Sequence, residues 1–153
     1  MGDVAVCLHG CQRNTVDVDL LIRSDDLENA RVTLERTGLV WDDQRREPRS
    51  ANGVAVQFLA SGERAGKGAQ ATLPDPSDDS ATSEIEGLRV LSLPRLIESK
   101  LACGQGNPRR THRDYADVVE LIAKHDLIRA FARHLHKDLR KTFRELVLRS
   151  RGE

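Results

Sequence analysis

Apolar and acidic residues alternate most regularly over residues 16–22, where Val16, Val18, Leu20 and Ile22 are interleaved with Asp17, Asp19 and Leu21. A period of two predicts a strand with Asp17 and Asp19 side by side on one face and Val18 and Leu20 turned to the core. A short apolar stretch at residues 4–8 predicts a brief helix before it. After it, Asp25 or Asp26 caps a helix whose buried stripe would be Leu27, Ala30 and Leu34, with Gly38 as its stop. Residues 39–41 and 53–60 read as strands, the second carrying Val54, Val56 and Phe58 on one face. Residues 61–84 turn to Gly, Ser, Pro and Asp with hardly an apolar residue, which predicts a long mobile loop. Another short strand is expected at Leu88–Leu91. Ser92 then caps a helix with Leu93, Leu96, Ile97, Lys100 and Leu101 on one stripe. A break at 104–108 precedes a second helix at about 111–124, with Tyr115, Val118, Val119 and Ile122 inward and Asp114 and Asp117 three apart. The chain closes with helical segments containing Leu127, Ile128 and Phe131, then Leu139, Phe143, Leu146 and Val147. The pattern predicts an α/β (α+β) fold, a mixed sheet flanked by helices with a helical C-terminal part.

The 153 residues suit one domain, read as a main unit over residues 1–126 and a basic helical extension of it over 127–153. The hydrophobic share of 39% with 31% charged residues fits a folded chain. Trp41, Tyr115, Phe58, Phe131 and Phe143 are its large rings, which excludes a base-stacking platform and leaves the core to Leu, Val, Ile and Ala. Formal charge is zero overall, so no global field draws the protein to nucleic acid or an anionic membrane. Locally, Arg129, Arg133, Lys137, Arg140, Lys141, Arg144, Arg149 and Arg151 outnumber Asp138 and Glu145. That end reads either as a solvated helix face or as an RNA contact. No apolar run is long enough to span a bilayer, and the start lacks the basic-then-apolar layout of a secretory leader. A cytoplasmic location is expected, in keeping with three cysteines that form no even disulfide framework. Cys7, His9 and Cys11 crowd too closely for a structural zinc site. The glycines of residues 62–68 miss the spacing of a phosphate-binding P-loop.

The chemistry concentrates near the start. Gly2 precedes the short apolar stretch, then His9, Gly10, Arg13 and Thr15 lead into the acidic strand. In that order, free backbone N–H groups can hold phosphate oxygens while two carboxylates hold Mg²⁺ bridging those phosphates, as phosphoryl-type transfer requires. The residues Gly2-Asp3-Val4-Ala5-Val6, Leu8-His9-Gly10, Arg13, Thr15 and Asp17-Val18-Asp19-Leu20-Leu21 resemble the N-terminal signature of minimal nucleotidyltransferases. Downstream, Leu91-Ser92-Leu93 leading to Lys100, then Arg113-Asp114 and Asp117, resembles the Lys helix and Arg-Asp-x-x-Asp helix of AbiEii-type proteins, nucleotidyltransferase-like components of toxin-antitoxin systems.

The resemblance implies a nucleotidyltransferase-like sheet and a Mg²⁺-dependent transfer of a nucleoside monophosphate from a nucleoside triphosphate to RNA or protein. A toxin-antitoxin partner is implied with it. Carried onto this sequence, it places Gly2 and Asp3 at the phosphate turn, Asp17 and Asp19 on Mg²⁺, Lys100 by the nucleotide, and Asp114 or Asp117 completing the site, with Arg13 and Thr15 touching ligand or shaping the loop. Lys100 on an apolar stripe demands an anionic ligand or a carboxylate partner, and Asp114 and Asp117 are the candidates. Three departures bear on activity. The strand that such proteins carry ahead of the glycine is absent from this sequence, so that either the start is truncated or the fold is abbreviated. Asp3 stands where a small or hydroxyl residue is usual and its charge would repel a triphosphate. Gln57, neutral and no general base, stands where many members carry a third acid. The alternative is a nucleotide- or partner-binding module in the same fold without catalysis.

Overall fold

A computed structural model describes residues 2–45 and 47–152. In chain order the elements are α1 (Gly2–Leu8), β1 (Asp17–Ile22), α2 (Leu27–Arg36), β2 (Val40–Asp42), β3 (Glu47–Arg49), β4 (Ala55–Ala60), β5 (Thr82–Ile85), β6 (Leu88–Leu91), α3 (Leu93–Gly106), α4 (Pro108–Lys124) and α5 (Arg140–Ser150), with short 3₁₀ turns between. The fold is mixed α+β. Four strands form a sheet in the order β1-β4-β3-β2, and β5 and β6 form a separate hairpin. β1 runs parallel to β4, while β4, β3 and β2 are antiparallel neighbours. The parallel register sets Asp17 beside Ala55 and Asp19 beside Gln57.

The core lies between α3, α4 and the C-terminal segments. Leu96, Ile97, Leu101, Val118, Leu121, Ile122, Phe143 and Val147 are buried in one cluster with Ala5 and Val6 of α1. α3 is central, with every residue from Leu96 to Ala102 buried. α4 packs closely against it because Gly104 has no Cβ; one there would meet the Tyr115 ring at 2.5 Å. The two helices are separated by Asn107 alone, whose side chain accepts from the Arg109 N–H at 3.1 Å and caps α4 one residue before Pro108. The expected break at 104–108 is thus shorter than its glycines suggested, since Gly104 admits α4 and Gly106 admits the Lys67 backbone, whose O a Cβ there would meet at 2.3 Å.

Other expectations change as well. No residue of α2 is buried, and Leu27 is 40% exposed. The expected stripe is only half covered, and Arg31 lies over the Trp41 ring at 4.3 Å. β3 escaped the sequence pattern because Pro48 reads as a breaker and three residues show no alternation. β5 lies within the segment expected to be a loop; Glu86 and Gly87, both at positive φ, turn it into β6.

The 61–84 segment is also anchored. Ala65, Ala71, Leu73 and Ala81 are buried. Ala65 N–H donates to Ala71 O at 2.9 Å, Leu73 N–H to Glu63 O at 2.7 Å, and Cys103 Sγ to Ala65 O at 2.8 Å. Its backbone presses onto α3, where a Cβ on Gly66 would stand 2.3 Å from Ala102 O. Among the described residues no helix is long and apolar enough to cross a membrane.

Candidate functional site

α1 ends against β6 through His9, whose Nε2–H donates to Leu91 O at 2.8 Å; burial holds this imidazole below its usual pKa and hence neutral. Cys7 Sγ contacts Arg13 O at 3.5 Å and Cys11 enters the core, so the Cys7, His9 and Cys11 side chains have separate tasks. This seating fixes the loop that leads into β1. Thr15 Oγ1 donates toward Asp17 O at 2.8 Å and Oδ1 at 3.0 Å, so Thr15 orients the carboxylate and shapes the loop together.

Gly2 has a φ of +62° and its backbone abuts Asp19: a Cβ there would stand 1.8 Å from Asp19 Oδ2. Only glycine allows both the conformation and the approach. Asp19 lines a cavity of about 110 Å³ with Gly2, Gln57, Lys100, Arg110 and Asp114, closed over by Glu63, Arg64 and Ala65 of the anchored segment. Burial pushes the Asp19 carboxyl above its ordinary 3.8, and neighbouring Asp17 adds to that, against Arg110 and Lys100.

Lys100 sits at the centre of a charge cluster. It is 3% exposed, with its ammonium 2.9 Å from Asp3 Oδ1, 2.7 Å from Asp117 Oδ2 and 3.5 Å from Asp114 Oδ1. Each carboxylate has its own guanidinium too: Arg113 on Asp3, Arg110 on Asp114 at 3.4 Å, and Arg13 on Asp117. Four cations therefore enclose three carboxylates. Burial alone would lower the Lys100 pKa, but its close contacts with Asp117 and Asp3 and their charges raise it, and it stays an ammonium. Asp114 is pushed up by burial, against Lys100 and Arg110. Its Oδ2 and both Asp117 oxygens lack an aligned hydrogen bond among the described residues; ion pairs hold them, Arg110 on Asp114 Oδ2 and Lys100 and Arg13 on the two Asp117 oxygens.

The structure thus gathers Gly2, Asp19, Lys100 and Asp114 around one cavity, with Asp17 beside Asp19 on β1. Asp3, Arg13 and Asp117 belong to the charge cluster. Asp3, expected to repel a triphosphate, is already neutralised by Lys100 and Arg113. Sequence reasoning missed Arg110, although its place four residues before Asp114 on a helix signals the pair. It also missed Glu63, Arg64, Ser99 and Cys103, for which no periodic signal exists.

Asp3 makes the cluster acid-sensitive. Burial would raise its pKa, but the Lys100 hydrogen bond and charge, with Arg113, hold it below 3.8. A depressed carboxylate stabilises the fold above its unfolded pKa, and that stabilisation is lost as pH falls through 3.8 toward the folded value. Asp114, raised by burial, works in the opposite sense. Melting measured from about pH 5 down to about pH 2.5 is expected to fall less steeply for Asp3→Asn than for the native chain. Equal slopes would show that Asp3 carries no such linkage.

No protein-family model, curated protein or solved structure matches the chain. The donor chemistry of the acidic pair is of the kind Mg²⁺ takes. Asp17 and Asp19 are hard oxygen donors on one strand face, and the missing Gly2 Cβ lets the glycine backbone come up against Asp19 Oδ2. Among the described residues no group of three or more His, Cys, Asp or Glu side chains could hold a metal ion. Two carboxylates completed by substrate phosphates and water match how Mg²⁺ is commonly bound.

Proposed function

We propose that this chain is a nucleotidyltransferase-like protein that binds a nucleoside triphosphate with Mg²⁺ at Asp17 and Asp19 and transfers the nucleoside monophosphate to an RNA or protein hydroxyl. The observation that carries the reading is the contact of Gly2 with Asp19, which joins the glycine turn to the paired carboxylates as the sequence resemblance implies. Mg²⁺ held there would neutralise phosphate charge. Arg110 lines the cavity beside Asp19, and Lys100 holds Asp3 and Asp114 in place. In the transfer, the acceptor oxygen bonds to the α-phosphorus as pyrophosphate leaves and the hydroxyl proton passes to solvent.

A specific observation favours a second reading, nucleotide binding without transfer. Gln57, not an acid, stands beside Asp19 in the parallel register, and an amide cannot accept the acceptor's proton. Incubating the protein with α-labelled nucleoside triphosphates, Mg²⁺ and cellular RNA separates the two. Transfer predicts label on RNA or on protein with equimolar pyrophosphate, both abolished by Asp17→Asn with Asp19→Asn. Mg²⁺-dependent nucleotide binding without labelled product would establish the second reading.

A further inference from the structure

On the other side of the anchored 61–84 segment lies a second cavity of about 430 Å³, lined by Arg95, Arg133, Arg140, His134, His136 and Glu98 together with Gln70 and Thr72. It gathers residues from α3 and from the basic C-terminal stretch, which the candidate site leaves without a role. Three guanidinium groups converge there, and Glu98 is the one carboxylate among the lining residues.

The arginines are held in place. Arg95 pairs with buried Glu98 and reaches His134 O at 3.4 Å. Glu98 also accepts from the His136 N–H, so its carboxylate is shared between a cation and the backbone. Arg140 donates from Nε to Leu135 O at 2.9 Å and from Nη2 to Arg133 O at 3.4 Å. Arg133 donates from Nε to His134 Nε2 at 3.1 Å. Both Nη groups of Arg133 and Nη1 of Arg140 make no hydrogen bond or ion pair among the described residues. Cations that line one cavity, two of them with donors unspent, are stabilised by an anion that accepts from several guanidinium edges at once. A tetrahedral phosphate has the oxygens to do so.

We propose that this cavity is a phosphate-binding site, separate from the Asp17 and Asp19 site and independent of nucleotidyl transfer. The phosphate can belong to a polynucleotide backbone or be a free ion. Lys137, Lys141 and Arg144, which follow in the chain, are also exposed, with Asp138 between them, and further exposed cations suit a chain of phosphodiesters. On α3 the residues lining the two cavities are successive, with Arg95 and Glu98 on this one and Ser99, Lys100 and Cys103 on the other.

The test uses the full chain without nucleotide or Mg²⁺, so that its result does not depend on the first site. Anisotropy of a fluorescent single-stranded oligouridylate is titrated at about 50 and 200 mM salt, and melting is followed with inorganic phosphate. Arg133→Ala, which removes an exposed side chain, should weaken binding roughly tenfold and flatten the logarithmic salt slope by about 0.7 per lost contact. Arg133→Lys should restore only part of it, because a lysine keeps the charge and loses the fork. Arg36→Ala, an exposed charge on α2, should change nothing. Displacement of the oligonucleotide by millimolar inorganic phosphate would identify a site for free phosphate, and its persistence would identify the polynucleotide backbone. An equal loss in Arg36→Ala, or neither oligonucleotide binding nor a phosphate-dependent melting shift, would overturn the proposal.

Discussion

Replacing Lys100 with alanine is expected to destabilise the protein by about 3–5 kcal/mol, the usual consequence of removing one partner of a buried ion pair. The variant would leave Asp3, Asp114 and Asp117, at 7%, 0% and 0% exposure, without the ammonium they share. For a chain of this size each kcal/mol shifts the midpoint by about 2–4 °C, so a fall of roughly 6–20 °C follows. The peripheral arginines cannot compensate fully, since Arg110 and Arg113 are half exposed, at 51% and 55%, and approach from outside. Adding Asp114→Asn and Asp117→Asn to Lys100→Ala should recover a large part of the loss by removing the stranded charges. A loss below about 1 kcal/mol in the single variant would mean that the cluster does not hold α3 to α4, because such a value is typical of an exposed pair.

Phe143→Ala should be comparably severe, at about 3–5 kcal/mol, because a buried ring is lost and the cavity collapses only in part. Phe143 is 0% exposed and faces Phe131 with ring centroids 5.6 Å apart. Its cluster is continuous with Leu96, Ile97 and Leu101 of α3, so residues 127–153 share the core of the main unit. Thermal unfolding followed by circular dichroism should therefore show one transition that moves as a whole. Two separate transitions in the variant, with only the smaller one shifted, would show that the C-terminal part folds on its own.

The acidic strand was legible because a strand has a strict period of two: residues 16–22 placed Asp17 and Asp19 on one face, and β1 does so. Lys100 was legible as an anomaly on an apolar stripe, and its partners Asp114 and Asp117 followed from helical spacing. Contacts between distant parts of the chain were not. Arg13 meets Asp117 and Arg113 meets Asp3 across more than a hundred residues, where no local pattern reaches. The cavity wall was missed for a related reason. Residues 61–84 hold the chain with three alanines and one leucine at irregular intervals, which give no periodic signal, while Gly66, read as flexibility, permits close approach to α3. The α2 stripe shows the opposite error: its apolar spacing was regular, yet none of its residues is buried.

The central claim is that Asp17 and Asp19 hold Mg²⁺ with a nucleoside triphosphate. Melting of the native chain and of Asp17→Asn with Asp19→Asn, with each nucleoside triphosphate in the presence and absence of Mg²⁺, tests it most directly, because a ligand that binds the folded state must raise the midpoint. At ligand about a hundredfold above its dissociation constant the stabilisation is about 2.7 kcal/mol, or roughly 5–10 °C. The account predicts such a rise for at least one nucleotide, dependent on Mg²⁺ and absent from the double variant. No rise at millimolar nucleotide with Mg²⁺, or an equal rise in the double variant, would contradict it.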